Sequence, residues 1–184
     1  LTSEWAYASA PLLGTSSAVT SPRAVAGNTT VALDWAAPAD LGGGTITSYR
    51  IEQNVFGSLW FPVATTTART LDVRGLVNGT TYRFRITPTT TQGDGQSSIV
   101  SAMPFGPASA PSLVRSVTGD GFMTVSWNAP SSNGGLPVAG YQLDLCSFAS
   151  CTWTTYVRNT GSPSTNTYTF SGLTNGTQYQ ARVS

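Results

Sequence analysis

Residues 30–52 read TVALDWAAPADLGGGTITSYRIE, and residues 123–144 read MTVSWNAPSSNGGLPVAGYQLD. Trp35 answers Trp127, Pro38 answers Pro130 and Tyr49 answers Tyr141, each 92 positions apart. Further on, LVNGTTYRFRI at 76–86 answers LTNGTQYQARV at 173–183, now 97 positions apart. The second copy therefore carries 97 − 92 = 5 extra residues, in the stretch that holds its two cysteines. A self-match at fixed period is the mark of a repeated folding unit, and here there are two.

Within each copy the pattern is that of strands. Short runs rich in Val, Thr and aromatic residues alternate apolar with polar, and Gly, Pro and Asn clusters part them at intervals of about ten residues. Val31, Leu33 and Trp35 fall on one face of their run; Tyr82, Phe84 and Ile86 fall on one face of theirs, with Arg83 and Arg85 on the other. A strand with one side on the core and one in water alternates in this way. No segment combines helical period with caps, so the expected architecture is all-β, sheet packed on sheet.

The order Pro22, Trp35, Pro38, a Gly-rich turn at 42–44, Tyr49, then Leu76, Asn78-Gly79 and Tyr82 resembles a fibronectin type III domain, and residues 111–184 repeat it. The resemblance implies two tandem seven-strand, immunoglobulin-like sandwiches, as in a bacterial-type extracellular repeat protein. It implies that Trp35 and Trp127 pack between the sheets. It also implies that Leu76 with Tyr82, and Leu173 with Tyr179, form tyrosine corners, the phenol bonding back to backbone beside a core leucine. A fold of this kind does not by itself assign a function.

In such a sandwich residues 177–184 form the sixth strand, so the second copy is expected to lack its last strand, whereas QSSIVSAM supplies one in the first copy. Shifted back by 92, Ser101-Ala102 falls on Ser9-Ala10. Residues 1–14 then read as the last strand of a preceding or neighbouring domain, with sandwiches at 15–106 and 107–184. About three core side chains on a last strand are worth roughly 5–9 kcal/mol at 1.5–3 each. The second copy is thus expected to be closed either by onward chain or by a neighbour's residues 3–10, with Trp5 and Tyr7 in the donated strand.

Charged residues make up only 9% of the chain, so the surface is expected to be largely hydroxyl and backbone. The nine basic residues are all Arg, scattered singly, and the net charge is +1, which argues against nucleic acid as partner. His and Lys are absent, and with them the usual general base, zinc ligand and Schiff-base amine. No cofactor or metal is expected. No apolar run is long enough for a membrane span, and the first residues lack the pattern of a signal peptide, so an export signal is expected to lie outside this stretch or to have been removed.

Cys146 and Cys151 have a spacing that suits a bridge across a tight strand turn, which would place the chain in an oxidising compartment; two reduced thiols are the other reading. The acids lie on separate strands and turns, without the facing pair a glycosidase needs, so no catalytic residue is assigned. QGDG at 92–95 stands where the family's integrin-binding loop carries Arg-Gly-Asp, but Gln92 replaces the cation, and a Gly-rich turn is the reading. Asp40 and Asp94 lack the spaced oxygen ligands of a calcium site. Trp60 with Phe61, and Trp153 with Tyr156, recur on one middle strand of each copy as candidate glycan or filament contacts, or as ordinary half-buried packing. Asn28, Asn78 and Asn175 head glycosylation sequons, and the last two also suit Asn-Gly turns.

The sequence thus reads as a non-catalytic structural module of a long extracellular repeat protein or surface filament. Its expected partners are adjacent repeats or copies. The alternative is a spacer or carbohydrate-binding accessory region of a secreted polysaccharide-degrading enzyme, with polysaccharide as partner.

Overall fold

The computed structural model describes residues 12–149, 151–162 and 164–184; Trp5 and Tyr7 lie outside them. All regular structure among these residues is strand, arranged in two units that meet between Phe105 and Gly106.

In the first unit, β1 (Thr20–Gly27), β2 (Thr30–Ala36) and β5 (Thr70–Arg74) form one antiparallel sheet in the order β1-β2-β5. The facing sheet runs β4 (Phe61–Thr66), β3 (Ile46–Asn54), β6 (Tyr82–Thr90) and β7 (Gly93–Asp94), with β8 (Ser98–Ala102) also paired to β6. The alternation read from the sequence decides which side chains meet between the layers. Val31, Leu33 and Trp35 enter from β2, and Tyr82, Phe84 and Ile86 enter from β6, all buried. Val100 and Ala102 of β8 pack against this core.

The second unit repeats the plan. One sheet runs β13 (Thr167–Ser171), β10 (Phe122–Asn128), β9 (Ser112–Gly119), and the other β12 (Thr154–Val157), β11 (Leu143–Ser147), β14 (Tyr179–Val183). The Trp–Tyr pair at the heart of each core has the same edge-to-face geometry: Trp35–Tyr49 at 5.4 Å and Trp127–Tyr141 at 5.2 Å, both at 70°. Such pairs add about 0.5–1.5 kcal/mol beyond their burial.

The repeat reaches the backbone that leads into each unit. The Gly14 N–H donates to the Gly42 carbonyl and Gly106 N–H to Gly134, while Ser17 N–H donates to Asp40 and Ser109 N–H to Ser132, all pairs offset by 92. Gly42 and Gly134 have φ of +61° and +69°, and a Cβ on either would stand 2.1 Å from the carbonyl oxygen of the entering glycine. Both the left-handed backbone and the close approach require glycine there.

The units differ at the sixth strand. Tyr82, Phe84 and Ile86 on β6 are buried, whereas Tyr179, Ala181 and Val183 on β14 are half-buried. The physical difference is β8: it covers the β6 edge, while among the described residues β14 pairs with β11 alone.

Candidate functional site

The sequence offered four places for function: the acids, the two aromatic hairpins, the cysteines and the corner before the sixth strand. Most of the acids are engaged in the scaffold. Asp40 Oδ1 accepts from Gly42 N–H, Asp72 pairs with Arg74, and Asp94 pairs with Arg50 at 2.8 Å while accepting from Thr89 Oγ1. Asp120 accepts from Asn175. Asp94 thus anchors the QGDG turn to β3 and β6. No cluster of three or more His, Cys, Asp or Glu capable of holding a metal occurs among the described residues. A cleft of about 600 Å³ runs between β1 and β8; its lining includes Arg23 and Arg83 but no carboxylate or thiol.

The two hairpins carry the same three-layer stack. Arg85, outward on β6, holds Glu52 of β3 at 2.7 Å and lies with its guanidinium carbon 4.7 Å from the centre of the Trp60 ring. Arg182, outward on β14, holds Asp144 of β11 at 2.7 Å and lies 4.5 Å from the centre of the Trp153 ring. Carboxylate, guanidinium and indole are therefore layered on the outer face of each sheet, a cation–π contact backed by a charge-assisted hydrogen bond. The tryptophans stand one residue before β4 and β12 rather than within the strands, because each closes the hairpin loop and turns its ring back over the arginine. Both are half-buried. Phe61 and Tyr156 remain 59% and 48% exposed, the latter in an edge-to-face pair with Phe170 at 5.2 Å.

Asp144 is only 1% exposed. The hydrogen bond from Thr155, followed by that from Arg182, holds its carboxyl below the usual carboxylate range despite the opposing cost of burial. A folded-state value below the unfolded one means that this group contributes stability above the unfolded range and loses it as pH falls through the folded value. Thermal melts should therefore show the second unit little changed between pH 7 and 5 and progressively weaker below about pH 4. Asp144→Asn should remove part of that acid sensitivity.

The hairpin of the second unit is closed by the disulfide Cys146–Cys151, with Cα atoms 4.8 Å apart. Position 146 stands 92 beyond Asn54, and Asn54 does the same work by other means: buried, it donates from Nδ2 to the carbonyls of Gly57 and Leu59. A cross-link closing so short a loop restricts the unfolded chain by about 2 kcal/mol. Reduction should lower the stability of the second unit by about that amount and leave the first unit's melting unchanged.

At the corner before the sixth strand, Tyr82 Oη accepts from Val77 N–H at 3.0 Å and Tyr179 Oη from Thr174 N–H at 3.2 Å. Leu76 is buried beside the first and Leu173 half-buried beside the second. The sequence alone did not show a second device here. Asn78 Oδ1 accepts from Thr29 N–H at 2.8 Å while its Nδ2 donates to Asn28 Oδ1 at 2.8 Å. In the second unit Asn175 Oδ1 accepts from Gly121 N–H at 2.9 Å and its Nδ2 donates to Asp120 Oδ1 at 2.6 Å. Each asparagine clasps the turn between the first two strands to the turn before the sixth, at separations of about 50 residues. The visible signal was that Asn28 and Asp120, like Asn78 and Asn175, recur in step with the repeat.

The sequence profile of the fibronectin type III domain matches residues 17–103 and again residues 109–184. Among solved structures, the chicken CNTN1 FN1-FN3 domains are similar at 22% identity and a TM-score of 0.46, over 92% of this chain and 61% of that one. Domains A168-A170 from titin are similar at 22% identity and a TM-score of 0.45, over 48% of this chain and 32% of that one. The twitchin kinase region from C. elegans is similar at 26% identity and a TM-score of 0.44, over 50% of this chain and 17% of that one. The chain thus spans less than two thirds of the length of each.

Proposed function

Because this chain belongs to the fibronectin type III family, we propose that it is a non-catalytic structural stretch of a longer extracellular repeat protein, in which sandwiches follow one another as a string. The observation that carries this reading is the repetition itself. The entry glycines, the core Trp–Tyr pair, the carboxylate–arginine–indole stack and the Asn clasp all recur, and most of the acids in the described residues serve the scaffold. Residues 104–111, PFGPASAP, contain three prolines, which restrict bending between successive sandwiches and favour a fixed spacing. The disulfide supports an oxidising, extracellular setting. In the string each sandwich is closed by a strand of the β8 kind, and residues 3–10, with Trp5 and Tyr7, are the candidate for such a strand. Such a strand is supplied along the chain or by complementation from a neighbouring copy.

Single-molecule stretching of the native polypeptide that carries this chain tests the reading. Unfolding should come in equal steps, each releasing roughly 90 residues, or about 300 Å of contour. A trace without such steps would count against it. Exposed Phe61 and Tyr156 on the two hairpins favour a second reading, a carbohydrate-binding accessory region. Under that reading soluble neutral glycans change the fluorescence of Trp60 and Trp153, and substitution of Phe61 and Tyr156 by alanine abolishes the change.

A further inference from the structure

Three Asn-X-Thr sequons are present, at Asn28, Asn78 and Asn175. Chemically they are equivalent acceptors, but the fold makes them unequal. The Asn78 amide is oriented by the Thr29 N–H that it accepts, so the atom facing Asn28 must be the Asn78 nitrogen, and the Asn28 atom receiving it must be Oδ1. Asn175 is oriented in the same way by Gly121 N–H and gives its nitrogen to Asp120.

Each clasping amide grips adjacent groups through both its oxygen and its nitrogen, so the hydrogen it uses is the one beside its own oxygen. An amide substituted on nitrogen stays planar and keeps its substituent on that same side, as a trans peptide does. A sugar on Asn78 or Asn175 would take the place of the clasping hydrogen and push the two turns apart.

Asn28 is the reverse case. It stands with Thr29 at the apex of the hairpin closed by the Gly27–Thr30 pair, it is exposed, and Thr29 there has φ +55°. Its oxygen is engaged by Asn78, while its nitrogen makes no hydrogen bond among the described residues. Its counterpart in the second unit is Asp120, which has no amide to modify.

We propose that Asn28 is the N-glycan acceptor of this chain and that Asn78 and Asn175 are not acceptors in the folded protein. In the transfer, Nδ2 of Asn28 attacks the anomeric carbon of an oligosaccharide carried on a polyprenyl diphosphate. The carbon–nitrogen bond forms as the carbon–oxygen bond to the diphosphate breaks; the diphosphate leaves with the electron pair, and one Nδ2 proton passes to base. The glycan then projects from the apex of the first hairpin, and the Asn28 oxygen stays available as the acceptor for Asn78. This inference rests on the extracellular reading.

The test is to express the chain behind an added secretion signal in a eukaryotic host and to map glycopeptides of the secreted, folded protein by mass spectrometry. The expected result is glycan at Asn28 and at neither other site, with complete loss of the glycan mass in Asn28→Gln. Thr80→Ala and Thr177→Ala, which remove the other two sequons and leave both clasping amides intact, should leave the glycan mass unchanged. An unmodified Asn28, or glycan at Asn78 or Asn175, overturns the proposal. Since the added signal imposes secretion, this result concerns the choice of acceptor alone, and the stretching experiment separately decides whether the chain belongs to a string.

Discussion

Replacing Phe84 with alanine should lower the stability of the first sandwich by about 3–5 kcal/mol. For a domain of this size that is a large share of a total of about 5–15 kcal/mol. Phe84 is fully buried in the core between β2 and β6. The second unit shows how the sandwich tolerates such a loss. The position equivalent to Phe84, 97 residues on, is Ala181, and the position equivalent to Val73 is Phe170, which is buried. The two cores have exchanged bulk between the fifth and sixth strands, a swap that roughly conserves volume and is the kind of change cores accept best. Val73→Phe introduced together with Phe84→Ala should therefore recover at least 1 kcal/mol of the loss, although Val73→Phe alone overpacks the core and destabilises it. Denaturant unfolding of the parent protein and the three variants, followed through the first unit's transition, gives the coupling. Strictly additive losses would mean that the two positions do not share one space.

Asn175→Asp should destabilise the second sandwich by about 2–3 kcal/mol at neutral pH, whereas Asn78→Asp should leave the first nearly unchanged. The asymmetry follows from the partners. Asn175 donates to the Asp120 carboxylate at 2.6 Å, so a carboxylate at 175 loses a hydrogen bond to a charged group, worth about 1.5–3 kcal/mol, and sets two negative charges face to face. Asn78 donates to a neutral amide, and Asn28 can turn its amide over to offer Nδ2 to the new carboxylate. Added salt should reduce the Asn175→Asp penalty by screening the repulsion, since both groups are exposed, but it should not restore the lost bond. Equal penalties in the two units would show that the clasp does not work through these partners.

The fold was legible because its signals are local or periodic. Val31, Leu33 and Trp35 alternate within five residues, and Trp35, Pro38 and Tyr49 recur at a fixed offset. What could not be read is what depends on distance in the chain. Nothing in the spacing of Trp60 and Arg85, 25 residues apart, announces that one stacks on the other, and the clasp joins residues about 50 apart. The hairpin lock of the first unit was hidden because asparagine and cystine share no chemistry; only the offset of 92 links Asn54 to Cys146. The aromatic hairpins were legible as residues but not as surfaces: the sequence placed Trp60 and Trp153 within the strand, whereas each closes the loop before it and is covered by an arginine.

The repeated entry contacts, cores and clasps make each unit a self-similar bead, and the proposed role depends on such beads being strung at constant spacing. Electron microscopy of single molecules of the native polypeptide that carries this chain tests that most directly. Extended strings with beads spaced at roughly 30–40 Å, the breadth of a domain of about 90 residues, are the expected result. Compact particles in which no line of beads can be traced would contradict it.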